Sequence, residues 1–450
     1  MLLAENPYAL SAWGVTPLAL GLTVIILLLT VGRIPLSYNV NNIVARWWTT
    51  SLTILAFTLV VALLVAMSAF VNGMYLLTTS SGRADNVVIL SEGSTDEIMS
   101  NLGFSDIGDL ENHPSAMVEG GLRLVSRENY MIVNQPLENA PPGRPSRRFL
   151  QLRGVDDPIV SGRVHGMELY PEGAWFSQAG VRDVVVAGKP NESMIEVVVG
   201  EGLAREMALD RGESSRSKPR LDVGDVFELN DRKWIISGVM RSAGLTFDSE
   251  LWAKRSLVGP LFGRDSYTSL VVRTADPATA AALKDYYNND FKKAAVAAQV
   301  ETDYYSDLNE TNKQFLFIIV LITVFTSVGG IFGVMNTMYA AVSQRIREIG
   351  VLRLLGFNRR QVLASFLLES IMIAILGGAV GCAVGSLVDG WTANSIVSRG
   401  PGGGKFVVLQ LTVDADIIAT GMVLSLAMGI VGGILPAVQA VRLKVLDTLR

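Results

Sequence analysis

The chain has few of the residues that build metal and redox sites. Its 450 residues include one cysteine, Cys382, and two histidines, His113 and His165. A single cysteine excludes a disulfide within the chain, and so few soft ligands leave little material for a zinc or iron–sulfur site. We therefore expect no metal ligands and no cofactor bound by this chain.

Charge is also scarce. Charged residues make up 18% of the chain, where roughly 25% is ordinary for a soluble protein, and the mean hydropathy is +0.37. Part of the chain is therefore expected to lie in lipid. The formal net charge of −4 gives no sign of a nucleic-acid partner.

Catalytic and nucleotide-binding motifs are missing. The sequence contains neither H-E-x-x-H nor G-x-S-x-G, and each histidine stands alone. The glycine-rich run at residues 400–406 has Phe406 where a phosphate-binding loop needs a hydroxyl, and Arg399 in the place of its first glycine. We interpret it as a loop and expect a chain that does not hydrolyse ATP.

Long apolar runs are what the sequence does contain. A membrane-spanning helix needs about 20 mainly apolar residues, and four stretches qualify: 50–74, 315–342, 362–388 and 417–438. A fifth, 15–31, is shorter and uncharged. It could be the core of a signal peptide, but no Lys or Arg precedes it and no small-residue cleavage pattern follows, so a retained span is favoured.

Basic residues flank these spans mainly on one side. In chain order the five spans are 15–31, 50–74, 315–342, 362–388 and 417–438. Two basic residues lie between the first and second spans, five lie between the third and fourth, and three follow the fifth: Arg33, Arg46, Arg345, Arg347, Arg353, Arg359, Arg360, Arg442, Lys444 and Arg450. Lys and Arg near helix ends favour the cytoplasm. They outnumber Arg83, Lys313, Arg399 and Lys405 at the other ends. This predicts an N-terminus outside, a C-terminus in the cytoplasm, and outer segments at 75–312 and 389–416.

The large outer segment has the pattern of an α+β domain. Short β-type runs alternate with turn signals, and helical patches such as 201–209 and 277–289 lie between them. A proline- and glycine-rich stretch at 139–145 predicts a loop, and the polar stretch 211–219 predicts a hairpin tip. We expect an α-helical membrane bundle with a large α+β extracytoplasmic domain that has its own core.

An amphipathic segment precedes the second span. Val40, Ile43, Val44 and Trp47 recur at helical spacing, and the opposite face carries Asn39, Asn41, Asn42 and Arg46. This predicts an elbow helix that lies flat in the cytoplasmic interface, with tryptophans at headgroup level. The alternative is a simple extension of the second span.

Glycines recur at every fourth position in three spans, as Gly329 and Gly333, as Gly377, Gly381 and Gly385, and as Gly429 and Gly433. Small residues at this spacing let helices approach closely, within one subunit or across a dimer. Ordinary glycine richness of membrane helices is the alternative.

Glu369 is an ionisable residue within a span. Burying it costs several kcal/mol unless it has a partner. A proton relay would need further acids or histidines along the spans, and the sequence has none there. A structural hydrogen bond is therefore favoured.

The loop at residues 343–360 combines five arginines with an apolar set formed by Ile349, Val351, Leu352, Leu354 and Leu355. Gly356 can end a helix, and Asn358 can begin the next with Gln361 three residues on. A pure topology signal would need only the arginines. The apolar set favours a short helix with a docking surface.

Residues 344–356 resemble the coupling-loop motif of MacB/FtsX/LolC-type ABC transporter permeases. Residues 41–55 resemble the elbow helix of that family, and 436–450 resemble its C-terminal tail. Three further stretches, 153–156, 196–204 and 223–225, resemble its outer-domain signature. The resemblance covers residues 37–450.

The resemblance implies a permease homodimer, or a heterodimer with a related permease, driven by separate ABC ATPase subunits that bind ATP and Mg. The coupling residues would be Arg345, Arg347, Glu348, Ile349, Gly350, Val351, Leu352, Arg353, Leu355 and Gly356. Motion of the ATPase would reshape the outer domain by mechanotransmission. The result would be export or release of a lipoprotein, lipid, peptide or drug-like substrate, with a possible periplasmic adaptor.

The resemblance also implies an organisation of the chain in a bacterial inner membrane. An extra span would occupy 1–36, the elbow and first family span 37–74, the MacB-like domain 75–312 and the FtsX-like permease domain 313–450. The outer domain would have a porter-like part at 83–150 and 264–312 and a Sabre-like part at 151–263. An alternative role is an FtsX-like lever that activates an extracytoplasmic enzyme.

Overall fold

The computed structural model describes residues 36–137, 146–184, 192–209, 218–242, 244–307, 310–397 and 405–442. The span predicted at 15–31 and the loop predicted at 139–145 lie outside these residues, as do most of the tip at 211–219 and most of the glycine-rich run at 400–406.

The α-helices of the described residues are, in chain order, α1 (Leu36–Ala45), α2 (Trp47–Thr79), α3 (Phe104–Glu111), α4 (Pro158–His165), α5 (Glu201–Ala208), α6 (Arg255–Leu261), α7 (Pro277–Asp285), α8 (Glu301–Asp307), α9 (Glu310–Gln344), α10 (Ile346–Leu354), α11 (Arg359–Gly385) and α12 (Ala415–Arg442). They belong to two compact units. Among the described residues, one unit holds 36–72, 315–391 and 411–442, and the other holds those of 73–314 and 392–410.

Within the described part of the chain, four helices are long and apolar enough to cross a membrane. They cover Trp47–Thr78, Phe317–Gln344, Arg359–Val388 and Ala415–Arg442, with mean hydropathies from 2.8 down to 2.1. Each includes nearly all of a span predicted from the sequence. The predicted fold class, an α-helical membrane bundle with a large domain of both helices and strands, is confirmed. The extra N-terminal span stays a prediction.

Glycine brings α11 against α2. A Cβ added to Gly377 would lie 2.5 Å from Cβ of Phe57, and one added to Gly381 or Gly385 would lie 2.7 Å from Cβ of Val61 or Val65. Since these partners repeat every four residues, the two helices are in contact along three consecutive turns.

The other glycine pairs divide between two environments. Gly429 and Gly433 of α12 face α11, where Cβ of Ala374 and the Ser370 hydroxyl leave no room for larger side chains. Gly329 and Gly333 of α9 have open space where a Cβ would lie. This stretch of α9 therefore presents a face that the described residues of its own subunit leave uncovered.

The strands of the described residues are β1 (Asn86–Ser91), β2 (Val118–Glu119), β3 (Leu122–Arg123), β4 (Val125–Pro136), β5 (Arg147–Val155), β6 (Val181–Val184), β7 (Glu192–Gly200), β8 (Val226–Leu229), β9 (Arg232–Met240), β10 (Glu250–Lys254), β11 (Ser269–Arg273), β12 (Val296–Val300), β13 (Thr392–Val397) and β14 (Lys405–Gln410). Ten of them form one sheet in the order β12-β1-β11-β4-β5-β10-β7-β9-β8, with β6 beside β7. The pairs β5–β10 and β7–β9 are parallel and the others antiparallel. The boundary predicted at residue 150 falls inside β5 and the sheet continues across it, so the porter-like and Sabre-like division stays a prediction.

One face of this sheet is apolar. Leu152, Val199 and Leu251 pack there with α5 and α6, and Val87 and Leu270 pack with α3 and α7. Because neighbouring strand residues point to opposite faces, the paired residues Tyr130, Arg153 and Trp252 share the other face. That second face is polar and aromatic, and α4 and α8 contribute buried side chains to it.

The outer segment predicted at 389–416 forms a hairpin, β13–β14, that belongs to the extracytoplasmic unit. Val407 and Leu409 are buried, and the Val408 amide donates a 2.6 Å hydrogen bond to the Ser249 hydroxyl. Gly73, near the end of α2, lies against the Gln410 carbonyl. The hairpin therefore completes the domain rather than standing apart as a loop.

Candidate functional site

The candidate site is α10, the short helix between the spans α9 and α11. The chain turns at Arg345, whose amide donates to the Val342 carbonyl, and the helix begins one residue later. Gly356 ends this segment with a φ of +94°, a value that favours glycine. The Asn358 amide then donates a 2.8 Å hydrogen bond to Oε1 of Gln361 at the start of α11.

Five of the predicted coupling residues form an exposed ridge together with Leu354. Val351, Leu354 and Leu355 are 48%, 62% and 71% exposed, and Arg347, Glu348 and Gly356 are exposed beside them. The spacing from 347 to 355 places these residues along one side of α10. A soluble surface seldom leaves such large aliphatic side chains together without a partner.

The other predicted coupling residues lie beneath the ridge. Arg345, Ile349 and Gly350 are buried, and Leu352 and Arg353 are half-buried. Ile349 packs in the apolar cluster of the bundle with Val342 and Val362. Nη1 of Arg353 lies 3.5 Å from the Val441 carbonyl at the end of α12. Arg345 and Ile349 hold α10 in place and are not available to a docking partner, whereas Leu352 and Arg353 remain partly exposed.

Arg345 and Glu369 form a buried, bidentate ion pair. Nη1 and Nη2 of Arg345 donate to the two carboxylate oxygens of Glu369 at 2.7 and 3.0 Å, and each side chain is about 5% exposed. Glu369 therefore has the structural hydrogen bond expected for it. The pairing with Arg345 was not foreseen, because the two residues are 24 positions apart and meet only once the chain turns after α9.

The elbow helix α1 contacts both α10 and α11. The Tyr38 hydroxyl donates a 3.0 Å hydrogen bond to Oε2 of Glu348, and the Ser365 hydroxyl donates at 2.6 Å to Oδ1 of Asn39. Burial, followed by the nearby Glu348 carboxylate, raises the pKa of Tyr38, so the phenol stays protonated and can donate. The predicted polar face of α1 is thus partly buried against the bundle.

Three of the four residues of the predicted apolar face of the elbow are exposed, and the fourth packs inward. Val40, Val44 and Trp47 are exposed, and Ile43 packs against the apolar cluster of the bundle. Trp47 and Trp48 contact each other edge to face, with ring centroids 5.4 Å apart. These exposed apolar side chains suit a lipid interface.

Comparison with known proteins decides the family. The MacB-like periplasmic core domain matches residues 50–289, more than half of the 450-residue chain. The FtsX-like permease C-terminal domain matches residues 319–445, which include α10. This chain belongs to the MacB/FtsX-type ABC transporter permeases. It is therefore a multi-pass membrane protein with an extracytoplasmic domain, and the matched residues cover the permease portion of this family.

Individual relatives of this permease are distant. It is 24% identical over 390 residues to the macrolide export ATP-binding/permease protein MacB of Burkholderia lata, a match that covers 81% of this chain and 52% of that protein. It is 28% identical over 251 residues to the uncharacterized ABC transporter permease YknZ of Bacillus subtilis, covering 51% and 57%. The chain thus spans only about half the length of these two relatives.

A solved structure is also similar. The extracellular domain of the noncanonic ABC-type transporter YknZ from Gram-positive bacteria aligns with 48% of this chain and 99% of its own, at 14% identity and a TM-score of 0.31.

Proposed function

We propose that α10 docks on a separate ABC ATPase subunit and passes the motion of that subunit to the extracytoplasmic domain. The observation that carries this proposal is the division of α10 into two sides. Arg345 and Ile349 anchor the helix in the bundle, and Val351, Leu354 and Leu355 form an exposed apolar ridge. An anchored helix with one apolar face suits a groove on a partner protein.

ATP and Mg would be bound by the ATPase subunit, and this chain would supply the spans and the outer domain. Arginines flank α10 and the start of α11. They favour the cytoplasmic side for this end of the bundle and the outer side for the large domain. The proposed location is therefore a bacterial inner membrane.

A second permease copy, or a related permease, would complete the membrane part. Gly329 and Gly333 face open space on α9, and Phe325 and Phe332 beside them are 70% and 63% exposed. Small residues between large apolar ones allow helices of two subunits to approach closely.

The proposed activity is export or release of a lipoprotein, lipid, peptide or drug-like substrate by mechanotransmission, with a periplasmic adaptor as a possible further partner. The large extracytoplasmic unit, with a ten-stranded sheet of its own, supports a substrate-handling role over that of a simple lever.

The test removes the ridge without disturbing its anchors. In the variant L354D/L355D, charges replace the two leucines of the ridge. We expect the amount of ATPase that copurifies with the tagged permease to fall by at least ten-fold, since apolar anchors carry most of the free energy of an interface. Membrane insertion should not change, because neither side chain is part of the buried cluster.

The matched control is Leu209→Asp. Leu209 is 49% exposed, like Val351, but lies at the end of α5 and outside the spans. It should leave ATPase binding unchanged. Glu348→Ala and Leu352→Ala are expected to weaken coupling as well. Wild-type ATPase binding and stimulation by L354D/L355D would overturn the proposed docking site.

A further inference from the structure

The extracytoplasmic unit is joined to the membrane helices at three places along the chain. The end of α2 leads into β1, β12 leads through α8 towards α9, and the hairpin β13–β14 connects α11 with α12. Displacement of the spans is passed along the chain to the sheet through these three connections, so the contacts among them affect how the sheet responds.

One carboxylate joins the first two connections. Oε2 of Glu301, the first residue of α8, accepts hydrogen bonds from the Arg83 amide at 2.9 Å and from Nδ2 of Asn86 at 2.8 Å. Gly82 adopts a φ of +81° there, and a Cβ at this position would lie 2.9 Å from the Glu301 carbonyl. The segment leaving α2 and the segment entering α8 are therefore held together at Glu301.

His165 links this carboxylate to the sheet. Its Nδ1 lies 2.8 Å from Oε1 of Glu301 and its Nε2 lies 2.6 Å from Oε1 of Glu128 on β4. Burial disfavours the charged imidazolium, but the two carboxylates outweigh burial and raise the pKa of His165 to about 10. The ring therefore carries a proton on both nitrogens and donates to both carboxylates.

The chain of contacts continues through Arg153, which is fully buried. Its Nε and Nη2 donate to Glu250 at 2.7 Å each, its Nη1 donates to Glu97 at 2.7 Å, and it also pairs with Glu128. A continuous path of charged contacts thus runs from the Arg83 amide to β10. The connection through the hairpin reaches the same region by another route.

That route is the 3₁₀ turn Thr246–Ser249. The Thr246 amide donates to the Ser81 hydroxyl at 2.8 Å, just after α2, and the Ser249 hydroxyl accepts from the Val408 amide of β14 at 2.6 Å. Between them, the ring of Phe247 lies 4.9 Å from that of His165. All three connections therefore converge on Glu301, His165 and this turn.

Buried charges of this kind are poor stabilisers. The desolvation of each ion offsets most of the attraction, and apolar residues of equal volume often stabilise as well or better. Loss of one partner is far more costly, so such a network resists rearrangement. Its benefit is a fixed geometry, which a mechanical connection requires.

We propose that Glu301 is a positioning residue that locks the α2 and α8 connections together, so that displacement of the spans is passed to the whole sheet as one movement. The proposal rests on the ATP-driven motion proposed above. It predicts that loss of Glu301 separates ATP hydrolysis from the response of the domain.

The experiment follows hydrogen–deuterium exchange of the full permease–ATPase complex in nanodiscs, nucleotide-free and trapped with ATP and vanadate. In the wild type, trapping should change deuterium uptake in the strands β4–β10. In Glu301→Ala this change should fall by at least about five-fold, the lower end of ordinary coupling between sites. ATPase activity and the change in uptake around α10 should persist.

Two variants separate transmission from stability. Glu301→Gln keeps an acceptor oxygen for the Arg83 amide and should restore part of the response. Val199→Ala leaves a cavity in the apolar cluster on the other face of the sheet and destabilises the domain, but Val199 takes no part in the contacts of Glu301 or His165. It should retain the response.

The outcomes are distinguishable. A full response in Glu301→Ala would overturn the proposal, and so would an equal loss in Val199→Ala, since that would reflect general destabilisation. If the wild-type complex binds no ATPase or shows no nucleotide-dependent change, the proposed function itself fails, and the role of Glu301 fails with it.

Discussion

Arg345 belongs to a stretch of the sequence that is rich in arginine. Its guanidinium nevertheless lies inside the helix bundle and donates hydrogen bonds to both carboxylate oxygens of Glu369. The ion pair ties the residue before α10 to the middle of α11. Because it fixes the start of α10, it determines how the ridge formed by Val351, Leu354 and Leu355 is presented.

Breaking this pair one residue at a time should be costly. Arg345→Met leaves Glu369 buried without its partner, and we expect the free energy of unfolding to fall by about 3–5 kcal/mol. The double variant R345M/E369M removes both charges and should recover most of the loss. Thermal unfolding in detergent measures both. A double variant as unstable as the single one would show that the pair is not the cause.

Some residue-level features could be predicted and others could not. The need of Glu369 for a partner follows from its depth in an apolar run. The buried pairs of Arg153 could not be predicted, because Glu97, Glu128 and Glu250 are 56, 25 and 97 positions away along the chain. Only the alignment of β4, β5 and β10 brings them together.

Helix boundaries were the most predictable elements. Gly356 is a helix-ending residue and Asn358 a helix-starting one. In the structure α10 ends just before Gly356, and α11 begins just after Asn358. The hairpin β13–β14 was missed, since its strands are short and flank a glycine-rich run, and its buried residues pack against β5, α5 and the 3₁₀ turn at Thr246–Ser249 rather than against each other alone.

Replacing a glycine by leucine is expected to affect stability differently in α11 and in α9. Gly381→Leu must displace Val61, whose Cβ would lie 2.7 Å from the new Cβ, and should destabilise the subunit by about 1–3 kcal/mol as an overpacked core does. Gly329→Leu meets open space and should leave the thermal stability of the isolated subunit within about 0.5 kcal/mol of wild type.

Thermal unfolding of dilute detergent samples provides the comparison for these two variants, with native mass spectrometry reporting the oligomeric state. Gly329→Leu should instead reduce the dimer fraction if α9 faces the second copy. Equal stability of both variants would contradict the packing of α11 against α2.

At the scale of the whole molecule, the single cysteine allows a direct test of topology. Cys382 is buried in α11 and should not react with a membrane-impermeant maleimide. Two exposed positions suit an added cysteine: Asp290 lies in the domain, and Ser343 lies beside α10. We expect Asp290→Cys to be labelled from outside intact cells or spheroplasts.

Ser343→Cys should react only after the membrane is opened. The arginines near α10 favour the cytoplasm for that end of the bundle. Labelling of Ser343→Cys in sealed cells, with protection of Asp290→Cys, would reverse the proposed orientation and remove α10 from the reach of a cytoplasmic ATPase.

The hairpin β13–β14 has a consequence for biogenesis. Val408 and Ser249 are bonded although 159 residues separate them, so the ribosome must synthesise most of the chain before β14 can reach the domain. Until α11 has been inserted and β14 has crossed the membrane, the surface around Ser249 and Gly73 stays uncovered. A protease in the envelope could use that surface to recognise chains whose insertion has stalled, and a fragment ending at residue 314 would carry the same defect permanently.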